Sequence, residues 1–153
     1  MSCAWEHVHA LTMVPGLFLP GMAYKIFCLC SIMYHAFRSV SIHVSSLQRA
    51  DLMSQLVVCF VHCSRTKHRV VIGGIACASL ALDISKNRHK LVHICLNGVA
   101  ILLAAWGYGF VSLVAWGAVV WCGVVFNMTK NHGFHALMHL LSHIAFITSQ
   151  TCL

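Results

Sequence analysis

The sequence predicts an all-α fold, a polytopic transmembrane bundle of about six helices. Three observations carry that expectation. Of its 153 residues, 59% are hydrophobic and 8% charged, with a mean hydropathy of +0.82. Soluble domains carry about a quarter charged residues, and a chain this small cannot hide so much apolar surface in its own core. The apolar residues also fall into long runs separated by short polar or basic links, without the period-two alternation that membrane barrel strands need.

Taken in order, residues 1–20 carry Glu6, His7 and His9 instead of the basic start of a secretion signal. The apolar stretch 11–23 is interrupted by Pro15 and Pro20, which argues against a straight helix. The segment 1–20 is therefore expected to be re-entrant or interfacial, and 21–150 to form the helical bundle as one domain. The first spanning run is 21–42, with Lys25 able to snorkel to the interface. After the polar link 43–50 come runs at 51–64 and 70–84, each followed by a basic stretch. Both are short against the roughly 20 residues a bilayer crossing needs, so neighbouring residues must extend them. A fourth run covers 91–106, Gly107 and Gly109 mark a break, and a fifth covers 110–126. The turn at 127–133 leads into the last run, 134–149. With six crossings, one side carries Arg38, Arg49, Lys86, Arg88, Lys90 and Lys130, and the other Lys25, Arg65, Lys67 and Arg69. The excess marks the first side as cytoplasmic or matrix-facing.

The formal charge is +7. A nucleic-acid binder would cluster those charges on one face, whereas here they flank apolar runs, so no nucleic-acid partner is expected. Nine cysteines are present, but no CxxC pair exists and most lie inside apolar runs. They read as small buried hydrophobes. Trp106, Trp116, Trp121, Tyr24, Tyr34 and Tyr108 read as interfacial or packing aromatics.

Twelve histidines against three acids is the unusual feature. On a helix, His135 and His139 sit one above the other, a pair able to grip one zinc ion. No glutamate lies between them, so a protease of the HExxH type is excluded. Ser31 and His35 repeat the i, i+4 spacing, and Asp51 opens the next run. The even number of crossings brings Ser31, His35, Asp51, His135 and His139 to similar depth on one side. Three imidazoles with an open fourth position form a catalytic zinc site. Asp51 would serve as general base, and Ser31 would hydrogen-bond Asp51 or the oxyanion. The remaining His7, His9, His43 and His132 are placed in linkers without a partner.

These residues, in SIMYHAF, RADLMS and FHALMHLL, resemble the seven-helix membrane hydrolase superfamily of alkaline ceramidases, adiponectin and progestin receptors, and haemolysin III-like proteins. The phrase HALMHLL is most similar to the ceramidase end of that group. The resemblance covers residues 21–150. It implies that His35, His135 and His139 bind zinc, that Ser31 and Asp51 complete the site, and that the substrate is a membrane lipid amide or ester. It also implies seven helices, of which this chain is expected to lack the first.

Two other functions stay open at this point. A purely structural accessory subunit of a larger organellar membrane complex would use Gly73, Gly74, Gly98, Gly107, Gly109, Gly117 and Gly123 for close helix packing. A haem- or iron-binding redox subunit would use two histidines on different helices, such as His35 or His93 with His139.

Overall fold

The computed structural model describes residues 3–40, 45–63, 66–84 and 90–151, and these are almost entirely helical. Lys86, Arg88, Arg65 and His43 fall outside them. Among the described residues seven α-helices follow one another: α1 Cys3–Met13, α2 Met22–Ser39, α3 Ser45–His62, α4 Thr66–Ile84, α5 Lys90–Trp106, α6 Phe110–Thr129 and α7 His132–Thr151. A short 3-10 turn, Val14–Phe18, joins α1 to α2.

The six apolar runs each lie within or largely within a helix. The two short runs are completed by polar residues that the apolar pattern did not include. Ser45–Ala50 begins α3, and Thr66–Arg69 begins α4. Asp51 therefore sits about two turns into its helix rather than at its start. The N-terminal segment departs further from expectation. Neither proline interrupts a helix: Pro15 occupies the first turn of the 3-10 segment, where a missing N–H is harmless, and Pro20 precedes α2. An 11-residue α1 is thereby free to form.

Helix ends follow local chemistry. Gly21 and Gly109 adopt φ of 98° and 95° at the starts of α2 and α6, a region that favours glycine. At the end of α6, Lys130 turns left-handed at φ 57° and its N–H closes on Phe126 O at 2.7 Å, a common helix stop.

Packing arranges α1, α2, α3, α5, α6 and α7 in a closed ring of neighbours, with α4 outside against α3 and α5. α1 completes the ring between α2 and α7. One apolar cluster lies between α3, α4 and α5 around Leu56, Ile72 and Ala100. A second joins Met13, Tyr24, Phe27, Val58 and Phe146. Tyr24, expected as an interfacial or packing aromatic, is wholly buried; it stacks on Phe146 with ring centres 3.9 Å apart. Its hydroxyl donates to His143 Nδ1 at 2.8 Å, and His143 Nε2 donates to Thr12 O at 2.7 Å. This relay ties the end of α1 to α2 and α7. It also explains Gly16, where a Cβ would strike Cys28 Sγ and come within 2.7 Å of His143.

Among the described residues, one helix, α6, is long and apolar enough to cross a membrane.

Candidate metal centre

The upper halves of α1, α2 and α7 meet over a cluster of imidazoles. α7 supplies His132, His135 and His139, spaced i, i+3 and i+7, so one face of the helix carries all three. His135 and His139 have ring centres 4.7 Å apart. From α2, His35 approaches them at 5.1 and 5.4 Å. The three histidines expected to meet from the first and last apolar runs are thus in mutual contact.

A fourth ring enters from α1. His9, read from sequence as a linker residue, is fully buried. Its centre lies 4.1 Å from His135, 5.2 Å from His35 and 6.0 Å from His139. Ligand atoms of His9, His135 and His139 all fall within 4.8 Å of one another, a grouping able to hold a metal ion. The chemistry of the donors agrees. His9 Nδ1, His135 Nδ1 and His139 Nε2 are buried nitrogens without a hydrogen-bond partner. Buried polar atoms are normally paired, and each orphan carries a cost. Three such orphans, on residues whose ligand atoms lie close together, are what a bound metal ion would satisfy.

Partners outside the cluster set each ring. His35 Nδ1 donates to Glu6 Oε2 at 2.7 Å. Glu6 Oε1 is in turn paired with Arg38 Nε at 3.2 Å, and Arg38 Nη1 donates to Tyr34 OH at 2.5 Å. His9 Nε2 meets His132 Nδ1 at 3.1 Å, and Trp5 stacks on both His9 and His132. Carboxylates and other acceptors behind a ligating histidine fix its tautomer and raise its basicity. Glu6 and His9 occupy adjacent positions one turn apart on α1, so a single short helix supplies both a ring and a carboxylate.

Ser31 and Asp51 lie next to the cluster rather than in it. Ser31 sits one turn from His35 on α2 and is fully buried; Asp51 on α3 is buried as well. The two side chains interact, yet neither Ser31 Oγ nor Asp51 Oδ1 completes a hydrogen bond. Both therefore keep unused capacity facing the interior.

An apolar cleft of about 70 Å³ reaches the cluster from the middle of the ring. Phe27, Val58, Trp116 and Met138 line it, with Gln55, His139 and Ser142 among its polar groups.

Sequence reasoning placed His35, His135 and His139 but missed His9, Glu6 and His132. For His132, the signal was available in the i, i+3, i+7 stripe. For Glu6 and His9, it was hidden because residues 3–10 carry no apolar run that would mark a helix. No protein-family model matches the chain, and neither the curated proteins nor the solved structures contain a match.

Proposed function

We propose that this protein is a multi-pass membrane hydrolase that uses zinc to cleave a lipid amide or ester, in the manner of the ceramidase-like superfamily its motifs resemble. The observation that carries the proposal is the set of buried, unpartnered imidazole nitrogens on α1 and α7 with His35 of α2 beside them.

Embedding of the whole bundle is supported by its outer surface. Phe18 and Phe110 are 83% and 79% exposed, and large apolar side chains on α2, α3, α4 and α7 also point outward. In water this surface would drive association; in lipid it is satisfied. α3 and α4 have 18 and 19 residues, close to the length a bilayer core requires.

His35, His135 and His139 would hold zinc and leave a fourth position open. When bound, zinc would polarise the scissile carbonyl and activate water. The chain's own residues perform the remaining work. Asp51 Oδ1 takes the proton of the attacking water and later returns it to the leaving nitrogen or oxygen. Ser31 Oγ donates a hydrogen bond to the carbonyl oxygen as it gains charge. Glu6 holds His35 by its Nδ1–H, so that Nε2 faces the cluster. The cleft beside His139 accepts the first apolar carbons of the substrate and excludes water from them.

The redox alternative has less support. The four rings touch one another at 4.1–6.0 Å between centres, which leaves no slot for a macrocycle between two axial histidines. The test is hydrolysis of a short-chain ceramide and a matched ester by protein purified in detergent. Turnover that disappears with a zinc chelator and in Asp51→Asn is expected. Unchanged turnover in that variant, or none on any lipid amide or ester with zinc bound, would overturn the proposal.

A further inference from the structure

We propose that His9 is a fourth metal ligand, so that α1 closes a coordination shell that a catalytic zinc site leaves open. The inference rests on the metal-hydrolase reading and adds to it a self-inhibiting segment.

Ring geometry is the first support. Zinc–nitrogen bonds of about 2 Å in tetrahedral array put imidazole centres about 5 Å apart. The six separations among His9, His35, His135 and His139 are 4.1, 4.7, 5.1, 5.2, 5.4 and 6.0 Å. They scatter about that value, from 4.1 to 6.0 Å; His9, His135 and His139 form the tight group, and His35 stands beside it.

Nitrogen bookkeeping is the second. His9 Nδ1, His135 Nδ1 and His139 Nε2 have no partner. His35 spends Nδ1 on Glu6 and keeps Nε2 for the ion. His9 meets His132 through Nε2 and leaves Nδ1 without a protein partner. Each ring thus has one nitrogen for the metal, and for His9 and His35 the other nitrogen is held from behind.

Third, His9 is fully buried, so it occupies interior space on the side of α1 rather than lining an open mouth. A catalytic zinc keeps one position for water or substrate, whereas a four-ligand shell is that of a structural site. Here the fourth ligand arrives on the shortest helix of the described chain. α1 packs on α2, on α7 and on the 3-10 turn that follows it. Movement of that helix would vacate the position and leave the three ligands on α2 and α7 in the bundle, while His35 loses its Glu6 partner. The segment is therefore a tethered inhibitor of the zinc site.

Cobalt(II) loaded into the full chain in detergent reports the shell directly, with azide as the probe of an open position. For the wild-type chain, one cobalt per protein and a tetrahedral absorption spectrum insensitive to azide are expected. For His9→Ala, cobalt binding at least about tenfold weaker is expected, with bands that shift on adding azide and a severalfold faster ceramide turnover. A wild-type spectrum that shifts with azide as the variant's does would overturn the inference. So would a His9→Ala spectrum identical to the wild type. Should that variant fail to fold, His9→Asn gives the same comparison, and the wild-type azide response decides alone. The two proposals fail separately. A closed wild type and an opened variant, neither of which cleaves lipid, would refute the hydrolase and leave the four-ligand shell standing. An azide-responsive wild type that cleaves lipid would refute closure and leave the hydrolase.

Discussion

His139 and His143 stand one turn apart on the same face of α7, both buried, and they do opposite things. His143 is saturated: Nδ1 accepts from Tyr24 and Nε2 donates to Thr12 O. It needs no ligand and serves as a lock between α1, α2 and α7. His139 Nε2 has no protein partner, and three other imidazoles surround the ring. Two residues of the same type, depth and helix face thus divide into structure and site by their hydrogen bonds alone. The same test sorts another buried histidine: His93 on α5 is paired with Ser79 at 2.8 Å and reads as packing. Counting histidines does not find a metal centre, and neither does a lone unpaired nitrogen such as His62 Nε2; unpaired ring nitrogens on residues whose ligand atoms lie close together do.

Substitutions can break this contrast or sharpen it. The largest effect is expected for His139→Ala, which removes a ligand and should weaken zinc binding by more than the roughly 10–100-fold that loss of an outer partner costs. Equilibrium dialysis against zinc reads this. His143→Ala should leave zinc binding within severalfold of wild type. It should instead lower stability by about 1–3 kcal/mol, because it leaves the buried Tyr24 hydroxyl only its 3.3 Å contact with Ser142 and removes the donor to the Thr12 carbonyl; thermal unfolding in detergent measures that loss. Comparable zinc loss in both variants would erase the distinction. Glu6→Gln keeps a hydrogen-bond acceptor behind His35 but removes its charge, and zinc affinity should fall by about tenfold with little change in unfolding temperature. Gly16→Ala forces a methyl group against Cys28 and His143. It should destabilise by about 1–3 kcal/mol while metal stoichiometry stays fixed. The smallest effect is expected for Ser79→Ala, which frees only His93 and should leave metal binding unaltered.

The helices of α2 to α7 were legible because long apolar runs and the glycines at their breaks are local signals. The polar first turns of α3 and α4 were not, since Ser45–Ala50 and Thr66–Arg69 have no apolar periodicity. α1 was not foreseen: it ends at Met13, before Pro15 and Pro20, and residues 3–10 show no apolar run. On the site, the i, i+4 spacings of Ser31 with His35 and of His135 with His139 are visible in one dimension, and the crossing count relates one pair to the other. The contribution of His9 and Glu6 is not visible that way. It depends on α1 filling the gap between α2 and α7, a tertiary contact that no local pattern encodes. Tyr24 shows the same limit: an aromatic near a helix start looks interfacial until its buried partner, His143, is seen 119 residues away in sequence.

The most direct measurement is the metal content of the full chain after exposure to zinc and exhaustive dialysis, determined by elemental mass spectrometry beside His139→Ala and His143→Ala. One zinc per chain in the wild type and in His143→Ala, with the ion lost from His139→Ala, is the predicted result. A correctly folded wild-type chain that retains no metal, or one that retains it equally with His139 replaced, would contradict the assignment of these imidazoles as a metal centre.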